Sequence, residues 1–446
     1  MLATLAVLAR ITLAPADTAA LALVNVTVIP MDRERAVPGQ TVVVRDGRIV
    51  AIGPTGQVEI PRGAVRIEGS GKYLVPGLAE MHAHIPGPQA PDEVRERVLA
   101  LYALNGITTI RGMLGHPMHL ELRERAAAGA ILSPRIYTSG PSLNGNSVPS
   151  VEAAVRAVTE QKAAGYDFLK IHPGLAREVF DSLDAAADRL GIRFAGHVPQ
   201  AVGIERALEA RYWSIDHLDG YIERLAAGSS GAPQPVFFGV NLGDQVDESG
   251  IPALAAATRA AGVWNVPTQT LLESLVESPE ALAGRPELRY WPAQQVAQWL
   301  EFRRGFLAQS GATAASVERI VEVRRRLIKA LHDAGAGLLL GSDAPQVWNV
   351  PGFSIHRELE AMVAAGLTPY QALRTGTVNV AAFFGTERES GTVEVGKRAD
   401  LVLLDANPLA NVGHTRRIAG VVLNGRWLPG DEIRRRLEEI ATRVRG

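Results

Sequence analysis

Four of the ten histidines stand where they could hold a metal ion. His82 and His84, in GLAEMHAH (77–84), are separated by one residue, so on a β-strand both imidazoles face the same side. His197 ends the run RFAGHV (193–198) and His217 ends YWSIDH (212–217), 20 residues apart, the spacing of one βα unit. Asp343 closes the apolar run AGLLLGSD (336–343), where a buried, unpaired carboxylate would cost several kcal/mol. It is therefore paired, metal-bound, or the N-cap of a following helix. Lys170 lies inside DFLKIH (167–172), where a lysine either reaches past the strand end to water or does chemistry within. Taken singly, each of these has an ordinary packing or surface reading. Together, imidazoles and carboxylates suit a divalent ion, which can activate water for hydrolysis. The chain has no cysteine and no GxSxG elbow beside a triad, so a covalent nucleophile has little support.

These residues need a scaffold that brings distant positions together. Eight brief apolar runs, each followed by an Ala/Leu/Glu/Arg-rich helical stretch, supply one: the five above plus ITTIRG (107–112), PRIYTSG (134–140) and GVWNVPT (262–268). Eight such units are the count of a (β/α)8 TIM barrel, whose site is built at the C-terminal strand ends. Flanking segments are short and β-like, with Asp46-Gly47 and Asn424-Gly425 as hairpin turns. The expected α/β organisation is a β domain from both chain ends (21–75 and 389–430), forming a small β-sandwich, with the barrel over 76–388. A charged amphipathic helix follows over 431–446. Ser229–Ser249 and Ser274–Ala315 exceed ordinary loop lengths, which predicts helices capping the barrel mouth.

Composition narrows the partners. The 446 residues are 47% hydrophobic and 21% charged, and 46 Lys plus Arg balance 47 Asp plus Glu. No global field draws this chain to nucleic acid or an anionic membrane, and no stretch of about 20 apolar residues would span a bilayer. Residues 1–20 read either as a secretory signal, placing the enzyme in the periplasm or outside the cell, or as a disordered extension of a cytoplasmic protein. The Ala/Leu-rich stretch ending in small residues favours the signal, although Arg10 interrupts the apolar run instead of preceding it.

The motifs VPGLAEMHAH (75–84), FLKIHPG (168–174), FAGHVP (194–199), SIDHLDG (214–220), GSDAP (341–345) and GTVEVGKRADLVLLD (391–405) resemble, in this order, the amidohydrolase superfamily. The likeness runs from about Leu21 to about Leu428. It is strongest to the branch of imidazolonepropionase-like amidases, prolidase-like dipeptidases and ochratoxinase. The resemblance implies two divalent ions, zinc being expected, with His82, His84 and Asp343 on the first and His197 and His217 on the second. Lys170 would bridge them as a carbamate made from its amine and CO2, since an ammonium cannot bridge cations. Imidazolonepropionase lacks this bridge, so Lys170 favours the dipeptidase-like group. The implied reaction is attack of a metal-activated hydroxide on an amide, with Asp343 shuttling the proton.

The expected substrate is a dipeptide or N-acyl amino acid, and a homo-oligomer is compatible with the sequence. Cyclic-amide hydrolysis and deamination are the alternatives within catalysis; a non-catalytic structural homologue is the alternative outside it. Candidate substrate contacts are His172, Arg111, Tyr137, Tyr221 and Thr268, at or near strand ends. Arg111, Tyr221 or His172 would orient a substrate carboxylate. Phe237, Phe238, Trp264, Trp291 and Trp348 could line an apolar pocket.

Overall fold

The computed structural model describes residues 20–228 and 234–445; the leader or extension expected over 1–20 lies outside them except for Ala20. The chain opens with β1 (Leu21–Val28), β2 (Val37–Arg45), β3 (Arg48–Pro54), β4 (Val65–Glu68) and β5 (Tyr73–Pro76). The β2–β3 turn has Asp46 at φ 50° and Gly47 at φ 70°, the paired left-handed conformations a two-residue hairpin needs.

Eight further strands follow in alternation with helices: β6 (Leu78–Ala83), β7 (Ile107–Gly112), β8 (Arg135–Thr138), β9 (Leu169–Ile171), β10 (Phe194–Gly196), β11 (Ser214–Asp216), β12 (Trp264–Val266) and β13 (Gly337–Leu338). All eight fall within the apolar runs expected to form them. They pair in parallel as a three-stranded sheet, β6-β7-β8, and a five-stranded sheet, β13-β12-β11-β10-β9. Parallel bridges join Ser139 to Phe168 and Leu143 to Ile171 at one seam and Ala83 to Ala344 at the other. Every residue of β6 is buried, as expected for a strand covered on both faces.

β13 is shorter than its apolar run. Beyond Leu338 the run lies between β12 and β6: the Leu339 N–H donates to Asn265 O of β12 (2.9 Å), the Leu340 N–H donates to Thr375 O (2.9 Å) and Leu340 O accepts from the Met81 N–H of β6 (2.8 Å). This pairing sets Asp343 beside the end of β6.

The chain ends with β14 (Leu401–Leu404), β15 (Ile418–Leu423), β16 (Arg426–Pro429) and the helix Gly430–Arg445. The two chain ends meet in one hydrogen-bonded path of eight strands, ordered β16-β15-β14-β5-β1-β2-β3 with β4 also on β1, and Val42, Val44 and Ile49 of its first part share one apolar core with Leu401, Leu403 and Val422 of its last. β5 joins the two parts, pairing antiparallel with β14 and parallel with β1. The terminal helix is not wholly solvated, since Ile433, Leu437 and Ile440 pack against Leu104, Val421 and Leu428.

Of the two long connections, 229–249 carries the short 3-10 turn Val240–Gln245, its residues 229–233 lying outside the described ones, and Ser274–Ala315 carries Pro279–Ala283 and Ala293–Ser310; the helices Ile251–Ala261 and Ala314–Asp333 follow them. Phe302 and Phe306 from Ala293–Ser310 pack on Phe237, which touches Phe238, whose ring lies 4.9 Å from that of His217. This helical layer thus covers the histidine end of the strands.

Candidate metal centre

Strand alternation on β6 sets His82 and His84 on one side, and the turn after β13 delivers Asp343 to them. One ligand atom from each of the three lies within 4.8 Å of the others. Asp343 Oδ1 is 2.7 Å from His84 Nε2 and 3.4 Å from His82 Nε2. The His217 ring stands 4.5 Å from that of His82 and 4.5 Å from that of His197, so all four histidines form one row.

Left-handed backbone holds several of these residues. His217 (φ 63°), Leu218 (φ 56°), Thr268 (φ 49°) and Asp343 (φ 63°) all adopt a conformation that costs a residue with a Cβ of order 1–3 kcal/mol. The strain persists because packing around the strand ends over-determines it.

Three of the imidazoles have a polar group behind them. The His197 Nδ1 is 2.6 Å from Asp219 Oδ2 and the His217 Nδ1 is 2.9 Å from Thr268 Oγ1, while His82 Nδ1 lies 3.1 Å from Asp216 Oδ2 without forming a hydrogen bond. A carboxylate behind a histidine is the arrangement that orients metal-bound imidazoles. Burial pushes His197 down to about 3 and lowers His82 and His217 well below the usual histidine value, which favours the neutral rings.

Lys170 is fully buried, with Nζ 3.8 Å from Asp216 Oδ2. Its Nζ, the Asp216 Oδ2 and the His82 Nδ1 are three buried polar atoms with no hydrogen-bond partner, clustered at one point. Such atoms are costly unless something else completes their environment. Burial lowers the lysine below its ordinary value, opposed by Asp216 and Asp343, which favours the neutral amine. The donor set therefore fits divalent cations with an anionic bridge at Lys170.

Three of the expected substrate contacts are placed elsewhere. Arg111 is fully buried within the sheet. Its Nε donates to Met81 O (2.7 Å), one Nη to Ser214 Oγ (2.9 Å) and the other to Asp216 Oδ1 (3.1 Å), between the rings of Phe168 and Phe383. With its donors directed inward it holds Asp216 and meets no substrate. Tyr221 is buried, its hydroxyl 2.8 Å from Thr258 Oγ1, and Tyr137 stacks on Phe384 at 3.9 Å. Thr268 supports His217. His172 stays beside the centre, 4.9 Å from the His197 ring, where burial pushes it down to about 2.

A cavity of about 530 Å³ opens from His197 and Asp219, walled by Val198, Ile204, Phe237 and Phe238. Its other charged lining residues are Glu205, Glu223 and Arg224, and Glu205 holds the Arg224 guanidinium. Arg224 is thus the one Lys or Arg among the described lining residues. Trp291 and Trp348, expected near the pocket, are instead buried with Trp299 in a separate aromatic cluster.

Sequence reasoning missed Asp216, Asp219, Glu80 and Arg324. The first two flank His217, one residue before it and two after it, a signal that was readable. Arg324 donates to the carbonyls of His217 and Pro267 from the helix Ala314–Asp333, a contact no local pattern announces.

The model of the Amidohydrolase family matches residues 73–428. Imidazolonepropionase from Symbiobacterium thermophilum is 27% identical over 452 residues, spanning 90% of this chain and 92% of its own. Adenine deaminase from Paracoccus denitrificans is 25% identical over 82% of this chain, which spans only 51% of that protein. Among solved structures, bottromycin amidohydrolase superposes with a TM-score of 0.74 at 24% identity, covering 95% of this chain and 90% of the other. A Xaa-Pro dipeptidase with bound methionine gives 0.68 at 19% identity, covering 92% and 100%. At these identities the structural likeness speaks for the fold alone.

Proposed function

We propose, for a chain that belongs to the amidohydrolase family and is an enzyme acting on carbon–nitrogen bonds, that it is a two-metal hydrolase of amide bonds in dipeptides or N-acyl amino acids. The observation that carries this is Lys170, a buried amine without a partner set among four histidines. The bridges at both seams support reading the two parallel sheets as one closed (β/α)8 barrel with the centre at its C-terminal end.

In this reading His82, His84 and Asp343 would hold one divalent ion, and His197 and His217 the other. Lys170 would add anionic oxygens to the centre as a carbamate, formed when the neutral amine bonds to the carbon of CO2 and releases a proton. Zinc ions there would polarise the scissile carbonyl and acidify a water. Asp343 Oδ1 accepts the proton of the attacking water and returns it to the departing nitrogen. Phe238 keeps bulk water from the histidine row, and the apolar side of the cavity receives a substrate side chain.

Metal-loaded protein should contain two ions per chain by elemental analysis, and one ion in fully active protein would overturn the binuclear reading. Chelation should lower the melting temperature, because a ligand at 100 times its dissociation constant contributes about 2.7 kcal/mol per site.

The names of the curated relatives favour a second reading, hydrolysis of a cyclic amide or deamination of a nucleobase. Steady-state assays of the metal-loaded enzyme on dipeptides, N-acyl amino acids, cyclic amides and adenine separate the two. Turnover of the first two groups is expected, and turnover confined to the last two would replace the proposal. With Arg111 and Tyr221 engaged elsewhere, His172 and Arg224 are left to meet a substrate carboxylate, so a good dipeptide should exceed its C-terminal amide in kcat/KM, and a ratio near one would move the reading toward a general or cyclic amidase.

A further inference from the structure

We infer that Glu80 is a positioning residue that locks the His82–His84 strand to the Asp343 turn and so fixes the first metal position. This rests on the two-metal reading above. Glu80 is fully buried and takes no part in the chemistry assigned to the other residues. Its Oε1 accepts from the backbone N–H of His82 (3.0 Å) and from that of Ser342 (2.8 Å), while Oε2 accepts from Ser342 Oγ (2.5 Å). One carboxyl group thus ties together two segments 262 residues apart, each ending in a proposed ligand.

Ser342 is held on its other sides as well. Its Oγ is 2.8 Å from Ser354 Oγ, and its carbonyl accepts from Asn349 Nδ2 at 2.5 Å. The peptide leading into Asp343 consequently has its N–H, carbonyl and side chain all fixed, which sustains the left-handed Asp343 backbone. The two segments also approach closely: a Cβ on Gly341 would meet the His82 backbone nitrogen at 2.9 Å. Nothing larger than glycine fits, and Glu80 supplies the polar link at this crossing. Outer contacts of this kind set ligand geometry and metal affinity.

The test measures metal affinity of the apo-protein by competition with a chromophoric chelator, together with the visible spectrum of the cobalt-substituted protein. Glu80→Ala should weaken the tighter of the two metal-binding steps about 10- to 100-fold and change the cobalt spectrum. Glu80→Gln keeps an oxygen for both N–H groups and should recover most of the affinity. Leu331→Ala, a core truncation remote from the centre, should lower the melting temperature and leave affinity and spectrum unchanged. Wild-type affinity and spectrum in Glu80→Ala, or an equal loss of affinity in Leu331→Ala, would overturn the positioning role. If Glu80→Ala does not fold, Ser342→Ala removes the third contact together with the Ser354 link, which Ser354→Ala removes by itself; a cobalt spectrum altered in Ser342→Ala and not in Ser354→Ala then supports the role, and one unaltered in Ser342→Ala, or equally altered in both, refutes it. A wild-type chain that takes up no divalent metal would instead defeat the two-metal reading itself.

Discussion

Lys170→Ala abolishes tight metal binding and turnover together while leaving the metal-free protein at least as resistant to heat as the parent. The two halves of this expected result come from the same atom. In the metal-free fold Nζ is fully buried without a hydrogen-bond partner, and the Asp216 carboxylate at 3.8 Å offsets its desolvation only in part. Alanine removes that burden and leaves a small cavity, and the two effects oppose one another. In the loaded protein the modified lysine would supply anionic oxygens to the ions, which alanine cannot. Melting curves with and without zinc, alongside metal content and kcat, check both halves. Retention of two tightly bound ions by Lys170→Ala would exclude a lysine bridge, whereas partial rescue by short carboxylic acids would identify the missing group as a carboxylate equivalent.

Asp343→Asn should separate metal binding from chemistry. The amide keeps an oxygen near His84 Nε2 and His82 Nε2, so most of the metal stays on the histidines. It cannot accept a proton from water, and the loss of a general acid–base group costs about 10²–10⁴-fold in kcat. Near-normal turnover by this variant would show that Asp343 positions and does not transfer protons. A variant that loses metal as completely as Lys170→Ala would show that its ligand role dominates.

Much of this arrangement was legible before any coordinates. The eight parallel strands appear as apolar runs because a strand covered on both faces excludes polar residues, and DFLKIH and AGLLLGSD stand out for breaking that rule at Lys170 and Asp343. The order of the motifs supplied the rest of the ligand set.

What stayed hidden depends on depth along the strand axis. Arg111 and Tyr137 are paired residues on β7 and β8, yet one grips Asp216 and the other stacks on Phe384. Period-two alternation tells which face a side chain takes and not which layer of the interior it reaches. Tyr221 begins a six-residue helix whose first turn faces inward toward Thr258. How the two chain ends join stayed hidden for a different reason: a strand with partners on both sides, as β5 has, leaves no trace in its four residues.

That same strand bears on the order in which the molecule can be assembled. β5 has β1 on one side as soon as the first 76 residues exist, but its other neighbour, β14, is synthesised only after every βα unit. At about 5–20 residues per second, the growing chain carries a bare strand edge for tens of seconds. Unpaired edges of this kind invite pairing with foreign chains. The protein must therefore finish folding after synthesis and not during it, and helpers that shield nascent strands would act on this edge first.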